Sequence, residues 1–331
     1  MSGERPRVYI TQPVAASALD RLRQAADVVF NPDALHIPSK NELITAVRDA
    51  HVLYCLLQDR VDADVIAAGS SLRAIATMKI TPSDIDVAAA SARRIPVTVI
   101  PPLVTEATAD IAFALLLAVA RRVAEGDRLV RAGVFPGSQS AYLEGAMVYG
   151  KTLGLVGGGG RIGRAVALRA RGFGMRLIYW GPRRLAAGDE QEAGLEYAPL
   201  DELLANSDFV SLHTPLKPET RHQIGARELA LMKPTAFLIN TARGAIVDEP
   251  ALAHALAERT IAGAGLDVYE DEPHVTPALL AMNQVVLTPH LGSAVRELRE
   301  RMAHVVVDNI LAVLAGERPP NCCNPEIYAP A

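Results

Sequence analysis

The sequence predicts an α/β protein of two Rossmann-like or flavodoxin-like domains, each a doubly wound parallel sheet, with a cleft between them. Three observations carry that expectation. Short β-rich runs alternate with helical patterns from end to end, as in parallel sheets joined by crossover helices. A glycine run, Gly157-Gly158-Gly159-Gly160-Arg161-Ile162-Gly163, stands in mid-chain between a strand-like and a helix-like segment. Finally, 331 residues with 50% hydrophobic content exceed one ordinary core and can fill two.

Taken in order, strands are expected at residues 8–10, 52–54, 74–76 and 97–100, each a short apolar, β-branched or aromatic run. The glycine run is entered from the apolar residues 153–156. A fingerprint of this kind opens the first strand of its domain, so its position implies a separate unit of about 100 residues upstream. The expected division is a substrate domain at 1–102, completed by 293–331, and a dinucleotide-binding domain at 103–292. After Pro101-Pro102, residues 105–126 read as one long buried helix bridging the two, with Asp110 early and Arg121-Arg122 late, as the helix dipole prefers. Residues 133–150, rich in Gly and Ser with aromatics, read as a mobile surface loop or a segment touching another subunit. Further strands are expected at 177–179, 209–212, 237–240, 265–268 and 285–288. A last helix at 295–314 ends at Gly316 and Pro319-Pro320 and returns to cover the first domain.

Composition narrows the partners. A net charge of −4 with no basic cluster gives no footprint for nucleic acid. The longest apolar run, residues 111–120, is shorter than a membrane span, and Met1-Ser2-Gly3-Glu4-Arg5 lacks the apolar stretch of a signal peptide, so a cytoplasmic protein without a membrane partner is expected. Cys55, Cys322 and Cys323 form neither a disulfide framework nor a spaced metal motif. Small molecules and copies of itself are left as partners. The apolar surface at 111–120 exceeds what one domain edge buries, which predicts a homodimer.

The chemistry starts at the glycines. Gly158, Gly160 and Gly163 fit G-x-G-x-x-G, in which the first allows a tight turn, the second lets backbone approach a diphosphate and the third lets helix pack on strand. The diphosphate would rest on the amides of Arg161 and Ile162, where unpaired donors and the helix dipole favour an anion. Three residues stand at the ends of late strands: Arg243 in Asn240-Thr241-Ala242-Arg243-Gly244, Glu272 in Asp267-Val268-Tyr269-Glu270-Asp271-Glu272-Pro273, and His290 in Thr288-Pro289-His290. In open α/β sheets the ligand crevice lies outside the carboxyl ends of the strands, so the three can converge on a bound nicotinamide. Reduction of a 2-oxo acid needs a charge partner for the carboxylate and a proton for the forming alkoxide, which a guanidinium and an imidazole supply. A carboxylate beside the histidine orients the ring and favours imidazolium. Singly, each residue also reads as a solvated strand end, a surface charge or a satisfied turn histidine.

With these motifs in this order, together with Thr105-Glu106-Ala107-Thr108-Ala109-Asp110, the turn His213-Thr214-Pro215, Pro218-Glu219-Thr220 and Met232-Lys233-Pro234, the chain resembles the D-2-hydroxyacid dehydrogenase family over nearly its whole length. The resemblance implies that Arg243 binds substrate, His290 is the acid/base and Glu272 its partner. It also implies that Asp267 lies near the nicotinamide, with His213, Thr214, Pro215 and Thr241 completing the cofactor site. Glu270 and Asp271 are by the motif surface charges. The implied activity is reduction of a small 2-oxo acid, glyoxylate or hydroxypyruvate in kind, to the D-2-hydroxy acid.

Three departures from the family pattern matter. Gly157 is one glycine more than the family shows at the strand exit, which puts the fingerprint register in question by one. The acid that NAD-dependent members carry after the second strand is missing, and Gly181-Pro182-Arg183-Arg184 stands there instead. Two guanidiniums suit a 2′-phosphate, so NADP is expected to be preferred, with NAD possible. The glycine-rich turn after residue 76 is replaced by Thr77-Met78-Lys79-Ile80-Thr81-Pro82-Ser83-Asp84, where Lys79 and Ile80 are the substrate-binding candidates; Pro82 removes a donor, and Lys79 either adds a charge to the pocket or is an exposed loop lysine. A narrower similarity to phosphite dehydrogenases, at residues 59–64 and 292–296 with Arg299 in the matching place, offers an alternative oxidoreductase. Co-repressors on the same fold offer a third reading, a dinucleotide-sensing interaction protein.

Overall fold

Parallel strands covered on both faces need no polar alternation and read as continuous apolar runs. The segments Val52–Cys55, Ala74–Thr77, Phe209–Leu212 and Phe237–Asn240 are buried at every position. The computed structural model, which describes residues 5–329, assembles such strands into two units. One runs to Leu103 and resumes at Val295; the other is Val104–Ala294.

The first unit contains β1 (Arg7–Ile10), α1 (Ala16–Ala25), β2 (Asp27–Phe30), α2 (Lys40–Val47), β3 (Val52–Cys55), α3 (Ala63–Ala68), β4 (Ala74–Thr77), α4 (Val87–Ala92) and β5 (Val97–Thr98). Its strands pair in parallel in the order β2-β1-β3-β4-β5, the flavodoxin-like doubly wound arrangement. Helix starts follow local chemistry: Ser39 and Glu42 close a capping box on α2, and the Asp62 carboxylate caps α3.

The second unit contains α5 (Thr105–Ala120), α6 (Val123–Arg131), β6 (Thr152–Val156), α7 (Arg161–Arg171), β7 (Arg176–Trp180), α8 (Ala187–Ala193), β8 (Glu196–Tyr197), α9 (Leu200–Asn206), β9 (Phe209–Leu212), α10 (Ala226–Leu231), β10 (Phe237–Asn240), α11 (Glu249–Ala257), β11 (Gly263–Leu266), α12 (Pro277–Leu280) and β12 (Val285–Leu287). Its parallel sheet runs β8-β7-β6-β9-β10-β11-β12, so strand order reverses at β6, between β7 and β9. That reversal is where a doubly wound sheet opens a crevice. The last helix, α13 (Arg296–Leu314), packs on α1 and β4 of the first unit. Its fully buried Asn309 donates to the Val99 carbonyl at 3.2 Å and accepts the Asn321 N–H at 3.0 Å.

The long helix expected at 105–126 is two helices. The apolar segment of α5 packs on α7, β10 and β11 of its own unit, and stops at Ala120 because Arg122 takes a left-handed φ of 53°. The strain of that conformation, on the order of 1–3 kcal/mol, is offset by a bidentate pair from Arg122 to Glu125 at 2.7 and 2.9 Å in the first turn of α6. The Ala146 N–H also claims the Ala120 carbonyl at 2.8 Å. Two strands were not expected: β2 leaves Val29 43% exposed, and β8 is only two residues long. The strand expected at 265–268 lies two residues earlier, so Asp267 falls just beyond β11 instead of within it. Among the described residues no helix is long and apolar enough to cross a membrane.

Candidate active site

The loop that leaves β6 meets the loop that leaves β9 at the point of strand reversal. Gly157 has φ +85°, and a Cβ there would lie 2.7 Å from the carbonyl carbon of His213, so only glycine serves at this contact. The close packing of strand on helix falls one residue later. A Cβ on Gly163 would sit 2.6 Å from the Cα of Gly158, and one on Gly158 would sit 2.7 Å from the Cβ of Tyr179. The extra glycine is thus absorbed at the strand exit, leaving 158 and 163 as the tightly packed pair and Gly160 as the N-cap of α7. The amides of Arg161, Ile162 and Gly163 form the first helical turn, where no intrahelical acceptor exists. This cradle fits the diphosphate of a dinucleotide. A second observation agrees: the Thr241 hydroxyl is buried and has no hydrogen-bond partner.

The ribose edge differs from expectation. Gly181 follows β7 with room for a Cβ, whose nearest neighbour would be 3.7 Å away. A carboxylate does stand nearby, supplied by Glu190 of α8. Arg184 donates to both Glu190 oxygens at 2.9 Å and lies over the Tyr197 ring, and Tyr179 donates to the same carboxylate at 2.8 Å. The guanidinium and the phenol hold the Glu190 carboxyl below its usual range. Arg184 is therefore paired with Glu190, although its side chain is still 63% exposed; Arg183 beside it is exposed too. His213 pairs with the Ser211 hydroxyl at 2.9 Å, and burial pushes its imidazole down to about 4. In the same segment Thr214 donates to Gln223 at 3.4 Å, and the Pro215 carbonyl accepts the Thr220 hydroxyl at 2.7 Å.

The structure brings Glu272 and His290 together. Glu272 Oε2 and His290 Nδ1 are 2.8 Å apart, leaving Nε2 as the ring's other nitrogen. His290 adopts a left-handed φ of 55°, a conformation that persists where surroundings over-determine it. The surroundings here are Asp267, fully buried, which accepts from Thr288 Oγ1 at 2.6 Å, Leu291 N–H at 2.7 Å and Gly292 N–H at 2.9 Å. Tyr269 adds a hydrogen bond to the Thr288 carbonyl at 2.9 Å. Arg243 lies exposed after β10, its Nη1 donating to the Ala242 carbonyl at 2.6 Å. Asn240 shapes that turn, accepting the Ala242 N–H at 3.1 Å and donating to the Arg243 carbonyl at 3.0 Å.

Glu270 is not the free surface charge the motif suggested. It pairs with Arg221 and with His222, the latter at 2.9 Å, from the segment between β9 and α10. Asp271, with its side chain 86% exposed, is a surface group. Lys79, Ile80 and Arg299 belong to the other unit. There Lys79 forms an ion pair with Asp84 of its own loop; burial raises the Asp84 carboxyl, but the Lys79 ammonium outweighs it and holds it below the carboxylate range. Arg299 stands near the start of α13. Sequence reasoning missed Glu190 and Tyr269, whose partners lie on other segments, and Asn240, whose contacts stay within its own turn.

Comparison with known proteins supplies the context for this geometry. A family model described as D-isomer specific 2-hydroxyacid dehydrogenase, NAD binding domain, matches residues 113–292. A glyoxylate reductase of Korarchaeum cryptofilum is 47% identical over 326 residues, 98% of this chain and 97% of that protein. Among solved structures, the TT0316 protein of Thermus thermophilus is 45% identical with a TM-score of 0.87, over 96% of this chain and 99% of that one. An NADPH-dependent glyoxylate/hydroxypyruvate reductase of Sinorhizobium meliloti, in complex with NADP and malonate, is 31% identical with a TM-score of 0.79, over 99% of both chains.

Proposed function

The chain belongs to the D-isomer specific 2-hydroxyacid dehydrogenase family and is a nicotinamide dinucleotide-dependent 2-oxo acid reductase; from that premise we propose that its substrates are glyoxylate, reduced to glycolate, and hydroxypyruvate, reduced to the D-2-hydroxy acid, with NADPH preferred. The observation that carries the mechanism is the Glu272–His290 pair at 2.8 Å. When bound, the cofactor supplies the hydride. With Nδ1 held by Glu272, the proton given to the substrate oxygen leaves from Nε2 of His290, and the Glu272 carboxylate fixes the ring's orientation. Arg243 spends one N–H on the Ala242 carbonyl, which leaves the rest of its five donors for the substrate carboxylate. Asp267 keeps the His290 loop in place. The first-turn amides of α7 and the hydroxyl of Thr241 face the cofactor, with the segment 213–215 beside them at Gly157.

For the cofactor, the NADP complex of the Sinorhizobium relative and the exposed Arg183 support NADPH. Because Glu190 neutralises Arg184, Arg183 carries the contact with the 2′-phosphate. Wild-type enzyme is expected to show higher kcat/KM with NADPH than with NADH, and Arg183→Ala to lose on the order of 1–2 kcal/mol of that preference, as expected for a charged hydrogen bond. Rates on glyoxylate, hydroxypyruvate, bulkier 2-oxo acids and phosphite, each with both cofactor pairs, test the whole reading. Phosphite oxidation as the main activity, or preference for a bulky 2-oxo acid, overturns the substrate assignment, and a wild-type preference for NADH overturns the cofactor assignment. Lys79, whose charge is spent on Asp84, gives the phosphite alternative little support.

A homodimer is part of the same proposal. Phe135, Met147 and Tyr149 are 73%, 68% and 69% exposed, and Val123 and Val130 of α6 add further uncovered apolar surface in the same unit. Light scattering should give the mass of two chains at micromolar concentration; a monomer mass refutes it. Cys55, Cys322 and Cys323 are all free thiols, which fits a cytoplasmic enzyme and is checked by fractionating the producing cells.

A further inference from the structure

We propose that Glu249 is a positioning residue for the proton-transfer pair, acting through Glu272; this rests on the reading that Glu272 supports His290. Glu249 opens α11 and is only 4% exposed. Burying a carboxylate is costly unless its oxygens are satisfied, and both contacts observed here go to one loop. The Glu270 N–H donates to Oε1 at 2.6 Å and the Thr276 hydroxyl to Oε2 at 2.5 Å. Those donors stand at the two ends of the segment that carries Glu272. Between them the chain makes a tight turn, closed by the His274 N–H on the Asp271 carbonyl at 2.8 Å, with Glu272 inside the turn.

The consequence for Glu272 is geometric. Its Oε1 accepts the Tyr269 N–H at 3.1 Å while Oε2 reaches His290, so the carboxylate is aimed by the backbone just ahead of the Glu249 contact. Pinning the segment at 270 and 276 removes the freedom of its ends, with Glu249 placed in the first turn of α11 as the acceptor of both bonds. Arg221 and His222 hold the Glu270 carboxylate, so the loop is fixed through a side chain as well as its backbone. A misplacement near 1 Å at a reacting group costs up to about 100-fold in rate, which sets the scale for losing the clamp.

The test is a double-mutant cycle on 2-oxo acid reduction. Glu249→Ala and Thr276→Val should each lower kcat by about 10- to 100-fold, with KM for the 2-oxo acid and the dissociation constant of the cofactor changing less than about 3-fold. Glu249→Gln should keep most of the rate: its amide oxygen accepts the Glu270 N–H and its amide group donates to the Thr276 hydroxyl, which rotates to accept. In a Glu272→Gln background the further loss from Glu249→Ala or Thr276→Val should shrink to about 2-fold or less, because coupled residues are not additive. Full additivity in that background, or wild-type kcat in Thr276→Val, overturns the role of Glu249. If Glu272→Gln alone retains wild-type kcat, the reading of Glu272 fails instead. Should Glu249→Ala fail to fold, Thr276→Val completes the same cycle, since it removes only one hydroxyl from a surface loop.

Discussion

Replacing His290 lowers kcat for 2-oxo acid reduction by about 10²- to 10⁴-fold, the range for removal of a general acid, while the cofactor still binds. The choice of replacement matters because His290 sits at φ 55°. Alanine at a left-handed position adds roughly 1 kcal/mol of strain or more, which would blur loss of chemistry with loss of loop structure. Asparagine tolerates that conformation and brings no transferable proton, so His290→Asn isolates the chemical effect. The readouts are kcat and a cofactor titration followed by nicotinamide fluorescence. A variant that keeps kcat within about tenfold removes His290 from the mechanism. One that loses cofactor affinity as well shows that the loop, clamped by Asp267 through three hydrogen bonds, has moved.

The second large effect is expected one residue past Arg243. A Cβ on Gly244 would lie 1.8 Å from the carbonyl carbon of Tyr269 and 2.0 Å from its oxygen. Both atoms are backbone, so no side chain can turn aside, and Gly244→Ala must push the two loops apart. The loop displaced carries Glu272, whose Oε1 is held by the Tyr269 N–H, and the loop doing the pushing carries Arg243. Overpacking of this kind costs about 1–3 kcal/mol of stability, and separating the substrate grip from the proton-transfer pair lowers kcat/KM by about 10²-fold. Thermal unfolding and steady-state kinetics check both halves. An alanine variant with wild-type melting temperature and kcat/KM would falsify the tight backbone contact.

Much of this was legible in the chain. The glycine run marked β6 and α7, the start of the second unit's sheet, and β3, β4, β9 and β10 announced themselves as unbroken apolar runs. Arg243, Glu272 and His290 were identified as candidates because each follows a strand expected to end in the crevice. What was misjudged involved edges and partners. The edge strands β2 and β8 are short or half-solvated, so they lack the signal of a doubly covered strand. The break after Ala120 has no glycine or proline to mark it; it depends on Arg122 finding Glu125 and on Ala146 reaching the Ala120 carbonyl.

The amino-acid pattern alone determined which segments become strands and helices, that the sheets are parallel, and which side chains arrive at the carboxyl edge, because those depend on periodicity and on steric demands a few residues apart. The family motif already singled out Glu272 as the partner of His290; only the tertiary structure decided where its two neighbouring acids go. Glu270 is turned towards Arg221 and His222, Asp271 is left in solvent, and Glu272 alone reaches the ring. It likewise decided that Arg184 is spent on Glu190 and that the buried Glu249 holds the loop. A carboxylate accepts from any donor within reach, and its donors here come from loops up to 49 positions away in sequence, so the folded sheet chooses the partner.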